Sequence, residues 1–333
     1  MISLCVIAKN ESHCIATMLE SVRDLVSEMI VVDTGSEDST PELARKQGAR
    51  VIQFPWNNDF AAARNVSIAE ARYPWILVLD ADEAVSEESL GEIRKLITGE
   101  VKAYSLDRHH YCDSFEFVGS QDLPVDHCAR SRGAVSYFVT HDVRLFPNHP
   151  RVRYTGAVHE SVEDSLWPAG FRTSRAQVVI HHFGPLGDRD RAALKGEQYL
   201  ALAREKVSAN PLDWRTWLHL GVELQNRSRN DEAVEVLRKS TDLYPSHATT
   251  WRQLAISLCI TGAYAEGLQA FTKAFELNGS CIVTWNALGV VFMQLGRLED
   301  AELCFSTILQ HEPNNRVAQK NFEMVKSHRS HVR

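Results

Sequence analysis

WILVLDADE, residues 75–83, decides the fold of the N-terminal half and points to its chemistry. An apolar run this short, ending abruptly in carboxylates, reads as a buried strand over 75–80. Alternation along an extended segment projects Asp80 and Asp82 to the same side. Two hard oxygen ligands placed there can hold Mg²⁺ or Mn²⁺ and leave positions for phosphate oxygens and water. Alone, an Asp-x-Asp turn after a strand is a weak signal, and its weight depends on what surrounds it.

Three similar runs precede it: ISLCVIA (2–8), EMIVVD (28–33) and RVIQF (50–54). Helical stretches over 12–24, 40–48 and 60–72 separate them, the second opening on Ser39-Thr40-Pro41-Glu42, a capping box with proline in the first turn. Strands alternating with helices predict a parallel, doubly wound sheet, which binds ligands off the carboxyl ends of its strands. Lys9-Asn10-Glu11, Asp33 and Asp80-Ala81-Asp82-Glu83 occupy those ends. The first strand–helix turn, AKNES (8–12), lacks GxGxxG, and GxxxxGK[ST] occurs nowhere. A nicotinamide site and a P-loop are thereby set aside, leaving a carboxylate-built site suited to a metal-bridged diphosphate.

The totals fit two soluble domains. The chain has 333 residues, 44% hydrophobic and 24% charged, with net charge −7, so no basic surplus argues for nucleic acid. The seven cysteines (5, 14, 112, 128, 259, 281 and 304) are odd in number and show no CxxC spacing, which suits reduced thiols in the cytoplasm. The N-terminal apolar run meets Lys9, Asn10 and Glu11 at once, so it reads as a strand rather than a signal peptide. No window approaches the ~20 apolar residues of a membrane span.

Beyond residue 209 the sequence repeats. Trp217, Trp251 and Trp285 are 34 residues apart, and Leu220, Leu254 and Leu288 follow in step, as do Gly221, Ala255 and Gly289. Ser228, Gly262 and Gly296 mark inter-helix turns, while Ala233, Gly267 and Ala301 mark close-packed helix positions. Leu237, Phe271 and Phe305 come next, and Pro245, Gly279 and Pro313 close the units. This 34-residue helix–turn–helix period resembles the tetratricopeptide repeat. Its concave surface suits an acceptor or a partner protein; a homo-oligomer or packing module is an equal reading.

VVDTGSEDST (31–40), WNNDFAAARN (56–65) and WILVLDADE (75–83), with the first strand ISLCVIAKNE, resemble the family 2 glycosyltransferases of the GT-A fold. The likeness covers most of residues 1–185. It implies an α/β GT-A (nucleotide-diphospho-sugar transferase-like) domain over 1–186, a connecting helix over 187–209, an all-α tetratricopeptide-repeat domain of three units over 210–318, and a basic tail over 319–333. It further implies Asn10, Glu11 and Asp33 on the nucleotide of a UDP-sugar donor, Asp80 on ribose or ordering the metal shell, and Asp82 as the main ligand of Mn²⁺ or Mg²⁺. Arg64 is expected on the diphosphate, or pairing with those carboxylates.

The second half of the domain, about 101–185, has strand-like DVRLFP (142–147), VRYTGAVHE (152–160) and QVVIHHFG (177–184). These are similar to a subset of the family that also carries tetratricopeptide repeats and acts on peptides or cell-surface glycans. An inverting transferase needs a base for the acceptor proton, assigned to Glu160, with a structural pairing to Arg144 or Arg153 as the alternative. His159 is expected to support donor or acceptor, and His181 or His182 to complete the metal shell. His109, His110, Cys112, His127 and Cys128 fit no zinc spacing; their surroundings read as an acceptor-side loop. The rival functions are a sugar nucleotidyltransferase and a non-catalytic nucleotide-binding repeat adaptor.

Overall fold

The computed structural model describes all residues except 114–120, 124–126, 158–159, 187–188, 280, 314 and 332–333. The chain divides into two compact units, residues 1–114 with 123–187, and 115–122 with 188–333. In the first, β1 (Ile2–Ala8), α1 (Ile15–Ser21), β2 (Glu28–Asp33), α2 (Thr40–Lys46), β3 (Arg50–Gln53), α3 (Phe60–Ala69) and β4 (Trp75–Val78) alternate as their apolar runs require. There follow β5 (Glu83–Val85), α4 (Glu87–Leu96), β6 (Ala103–Cys112), β8 (Ser136–Pro147), α5 (Glu163–Leu166) and β9 (Thr173–His182), while the two-residue β7 (Gln121–Asp122), between β6 and β8 in sequence, is counted with the second unit.

The strands run in the order β3-β2-β1-β4-β8-β6-β9-β5. From β3 to β4 every neighbour is parallel. β1, β4 and most of β2 are covered on both faces, which is why they read as continuous apolar runs, whereas the edge strand β3 is only half-buried. Ile2, Leu4 and Val6 of β1 pack with Met18, Leu19 and Ile93, while Cys5 joins Ile68 and Ile76 on the opposite face. The sheet is nevertheless mixed, because β8 enters antiparallel to β4 and pairs antiparallel with β6, and β9 pairs antiparallel with β5.

Two local expectations are corrected. Ser39 makes no capping hydrogen bond, its backbone at φ −77° and ψ 15° being outside the extended region a cap needs. Asp38 supplies the acceptor instead, taking the Thr40 backbone N–H at 2.9 Å. Residues 152–160 form no strand; their described part is a loop fastened by a lone bridge between Thr155 and Ser161.

The second unit contains α6 (Arg189–Ala209), α7 (Trp214–Gln225), α8 (Asn230–Leu243), α9 (Ala248–Ile260), α10 (Tyr264–Leu277), α11 (Ile282–Gln294), α12 (Leu298–His311) and α13 (Arg316–His331). The tryptophan period has a physical cause. The indole N–H groups of Trp217, Trp251 and Trp285 donate to the carbonyls of Pro211, Pro245 and Gly279 at 2.8, 2.7 and 3.3 Å, tying each unit to the segment that precedes it. Ser228, Gly262 and Gly296 all adopt the left-handed backbone, at φ 57°, 87° and 70°, and so turn the chain between helices. A Cβ at Gly221 would lie 2.5 Å from Leu237, and one at Gly289 2.7 Å from Phe305, so close helix crossing demands glycine there.

The array is longer than its tryptophans. Leu200, Ala203 and Val207 of α6 are buried in the same core as Leu218 and Leu220, so this helix packs with the repeats as well as leading into them. The stretch read as a basic tail is largely α13, with Ala318 and Val325 buried against Phe305 and Ile308. Gln319, 34 residues after Trp285, donates its side-chain amide to the Pro313 carbonyl at 2.7 Å, taking the place of the missing indole. Among the described residues no helix is long and apolar enough to cross a membrane.

Candidate active site

The loops after β1 and β2 are laced into one rim. Asn10, in the left-handed region at φ 56°, donates its backbone N–H to Ser36 Oγ and accepts from Glu37 N through Oδ1 at 2.8 Å. The Glu11 and Ser12 amides donate to Thr40 Oγ1 and Asp38 Oδ2 at 2.7 and 3.2 Å. Asp38 accepts enough of these bonds to outweigh dehydration, and its carboxyl falls to about 2. Asp33 is 1% exposed at the end of β2; its Oδ2 accepts from Ser36 N, while Oδ1 is buried without a hydrogen-bond partner.

Asp80 and Asp82 do not alternate along a strand. The chain leaves β4 at Val78 and turns, Glu83 N donating to the Asp80 carbonyl, so the two carboxylates face different surroundings. Asp80 is ringed by guanidinium groups: Arg64 Nη2 at 2.7 Å, Arg144 Nη2 at 3.2 Å and Arg108 Nη2 at 3.7 Å. Dehydration opposes its charge, yet Arg144, Arg64 and Arg108 prevail and hold the carboxyl well below the usual range. Glu83, with a wholly buried side chain, pairs with Arg108 Nε at 2.9 Å and Arg144 Nη2 at 3.5 Å; burial wins there and raises its pKa.

Arg64 joins the turn to the third region. Its Nη2 holds Asp80 and its Nε donates to Glu160 Oε1, both at 2.7 Å. Glu160 is thus paired with Arg64, whereas Arg144 turns to Asp80 and Glu83, and Arg153 donates to the backbone carbonyls of His149 and Val152. Arg64 Nη1 and Arg144 Nη1 are buried without hydrogen-bond partners. His159 lies outside the described residues.

Asp82 meets β9. Its Oδ2 stands 3.4 Å from His182 Nε2, and a Cβ at Gly184 would lie 2.5 Å from the first atom and 2.8 Å from the second. One carboxylate oxygen, one imidazole nitrogen and a cradle kept clear by glycine suit a divalent cation that accepts mixed oxygen and nitrogen donors, as Mn²⁺ does. His181, its neighbour, points elsewhere: its Nδ1 is 2.5 Å from Tyr111 Oη, and burial pushes its imidazole down to about 4. Of the two histidines, His182 is the one beside Asp82.

Register explains the assembly. Glu83 pairs with His182 across β5 and β9, and His182 with His110 across β9 and β6. His110 is 9% exposed, stacks on Phe138 with ring centroids 4.5 Å apart, and is driven down to about 3 by burial, with help from His182 and Arg108. His127 Nε2 lies 3.2 Å from Tyr111 Oη, and Cys112 Sγ donates to the His110 carbonyl. His109, His110, Cys112 and His127 thus take separate partners, and the Cys128 side chain lies outside the described residues. Among the described residues, the one group of three histidine, cysteine or carboxylate donors lying within 4.8 Å of one another is that of Glu11, His13 and Cys14.

Sequence reasoning missed Arg108, put His110 on an acceptor-side loop, gave Glu83 no role beyond the strand-end cluster, and weighed Arg144 only as a partner for Glu160. The alternation of Arg108 and His110 within AYSLDRHHYC (103–112) was the available signal, since it puts both on one face of β6.

Residues 3–157 match the family model described as glycosyl transferase family 2, and residues 215–247 that of a tetratricopeptide repeat. A TPR repeat-containing protein of Synechococcus elongatus is 37% identical over 202 residues, covering 59% of this chain and 44% of that protein. The SPbeta prophage-derived glycosyltransferase SunS of Bacillus subtilis is 27% identical over 244 residues, covering 72% of this chain and 53% of SunS. An uncharacterized glycosyltransferase of Rickettsia prowazekii is 38% identical over 97 residues, covering 29% of this chain and 33% of its own. The chain thus spans about half the length of the first two relatives. Its N-terminal domain is a family 2 glycosyltransferase domain of GT-A-like fold, carried together with tetratricopeptide repeats.

Proposed function

We propose that the protein is a metal-dependent glycosyltransferase that moves a hexose or N-acetylhexosamine from a UDP-sugar to a peptide or cell-surface glycan acceptor, with inversion at the anomeric carbon. The observation that carries this reading is the Asp82–His182 pair at 3.4 Å, with Gly184 leaving its cradle open. Asp82 and His182 would hold Mn²⁺ or Mg²⁺. Bound there, the cation would offset the charge that builds on a departing diphosphate.

The remaining residues bind and orient. Asp33 offers its unpartnered Oδ1 to a donor group on the nucleotide, beside Asn10 and Glu11 on the same rim. Asp80, fully engaged by arginines, fixes the turn that presents Asp82. Arg64 has one buried N–H unused and can meet a diphosphate oxygen. Glu160 takes the acceptor proton; Arg64 pairs with it at 2.7 Å in the resting arrangement and must loosen its hold for the carboxylate to act as base. The repeats supply the acceptor or partner surface, alone or as a homo-oligomer. Cysteines that form no disulfide among the described residues suit action in the cytoplasm.

Incubating the protein with a panel of nucleotide-sugars and Mn²⁺, and measuring free UDP, tests the reading. Release with a UDP-sugar should vanish on chelation and in Asp82→Ala. Release indifferent to both would remove the metal from the reaction.

A further inference from the structure

The loop that leaves β1 gathers three metal donors of different kinds. A carboxylate oxygen of Glu11, a ring nitrogen of His13 and the Cys14 sulfur all lie within 4.8 Å of one another. The backbone makes this grouping. Asn10 turns at φ 56°, and the Glu11 and Ser12 amides are pinned to Thr40 Oγ1 and Asp38 Oδ2 on the neighbouring loop. The Glu11 carbonyl then accepts the amides of Cys14 and Ile15 at 3.1 and 2.9 Å, which folds Cys14 back over Glu11 as α1 begins. Cys14 Sγ consequently donates to Glu11 Oε2 at 3.4 Å, and His13 Nε2 stands 3.9 Å from the same oxygen.

These separations are close to those a cation would impose. In a tetrahedral zinc site sulfur lies at about 2.3 Å, imidazole nitrogen at about 2.0–2.1 Å and carboxylate oxygen at about 2.0–2.2 Å. Two such ligands then stand about 3.6 Å apart for sulfur and oxygen, and about 3.4 Å apart for oxygen and nitrogen. The Glu11–Cys14 pair already agrees to about 0.2 Å. His13 must close by about 0.5 Å, a small swing for a side chain that is 59% exposed. That exposure gives a cation its way in from solvent, and three protein ligands leave a fourth position to water.

Donor chemistry chooses the ion. Asp82 and His182 offer oxygen and nitrogen, whereas a sulfur ligand favours zinc over Mg²⁺ and Mn²⁺. We propose that Glu11, His13 and Cys14 form a Zn²⁺ site at the end of β1, in addition to the Asp82–His182 pair, and that Zn²⁺ there takes Glu11 away from the nucleotide. The second part rests on reading Glu11 as a contact to the donor; the first part does not. On binding, a Zn–S bond replaces the S–H bond of Cys14, and the thiol proton passes to solvent.

Co²⁺, a spectroscopic stand-in for Zn²⁺, tests the site. The metal-free protein should develop a thiolate-to-cobalt charge-transfer band that added Zn²⁺ abolishes. Cys14→Ser should lose the band. His13→Gln should weaken Co²⁺ binding at least about tenfold, since even an outer partner of a metal ligand is worth roughly 10–100-fold. No band in the wild type, an undiminished band in Cys14→Ser or unchanged affinity in His13→Gln would overturn the site, whatever the nucleotide does. His13→Gln, at an exposed position, decides the matter if Cys14→Ser fails to fold. Uridine, which has no phosphate to chelate the cation, should bind the metal-free protein. With Zn²⁺ at ten times its own Kd it should bind about tenfold more weakly, and Cys14→Ser should remove that effect. Uridine that fails to bind the metal-free protein would remove the nucleotide reading of this rim and the competition with it, while the cobalt band still decides the zinc site. Uridine that binds equally well with and without Zn²⁺ would overturn the competition alone.

Discussion

Gly184 is the position where the candidate metal site is most easily spoiled without unfolding the protein. Its backbone lies outside the left-handed region, so alanine is tolerated by the main chain. The new methyl group, however, would sit 2.5 Å from Asp82 Oδ2 and 2.8 Å from His182 Nε2, where ordinary van der Waals contact begins at 3.4 Å. Relief requires the carboxylate to retreat by about 0.9 Å and the imidazole by about 0.6 Å. Metal–ligand distances tolerate only about 0.2 Å, so either movement breaks the donor pair. Gly184→Ala should therefore weaken Mn²⁺ binding at least about tenfold, in line with the loss of a ligand's support, while its melting temperature stays within a few degrees of wild type. EPR titration of free Mn²⁺ beside a thermal melt measures both. If Gly184→Ala bound Mn²⁺ as the wild type does, the space over Gly184 would not be ligand space, and the argument from the cradle would fail.

Arg64→Leu removes the shared partner of Asp80 and Glu160, and urea unfolding should show a loss of about 3–5 kcal/mol, as for a broken buried ion pair; a loss below about 1 kcal/mol would mean that the bridge carries little of the fold. Asp38, whose folded pKa of about 2 lies below its unfolded value, contributes stability that is present above pH ~4 and is lost as pH falls through about 2. In Asp38→Asn that acid-dependent part, roughly 1–2 kcal/mol after screening, should be missing when urea midpoints at pH 7 and pH 3 are compared with wild type. Gly289→Val pushes atoms into Phe305, and overpacking of about 1–3 kcal/mol should lower the helical melt followed by circular dichroism; an unchanged melt would show that the crossing has slack.

The parallel half of the sheet was legible because a strand buried on both faces must be apolar throughout. ISLCVIA and EMIVVD accordingly match β1 and β2 at both ends. The repeats were legible for a different reason: one indole hydrogen bond per unit fixes one tryptophan per 34 residues. Where Gln319 supplies the same bond the period loses its marker, and a packed helix read as a tail. The charged cluster could not be read at all. Period-two alternation puts Arg108 and His110 on one face of β6, but only the pairing of strands distant in sequence brings them to Glu83, Asp142 and His182. The capping box failed because the Ser39 backbone is not extended, while Asp38, one residue earlier, takes the first amide of the helix, that of Thr40, with a charged acceptor.

The two carboxylates of the Asp-x-Asp turn are consequently unlike. Asp80 faces three guanidinium groups and is stabilised as an anion whether or not a cation is near, so its charge is already committed within the protein. Asp82 faces an imidazole nitrogen across a gap that glycine keeps clear. A divalent cation has reason to settle on Asp82, since drawing Asp80 into its shell would strip charge from Arg64 and Arg144 in a buried setting, at a cost of several kcal/mol. Asp80 thus works through geometry, by fixing the turn, and through Arg64, by tying that turn to Glu160. Any change in the Asp80–Arg64 pairing must be felt at Glu160 through the same guanidinium, so the proposed metal-binding turn and the proposed base are mechanically linked.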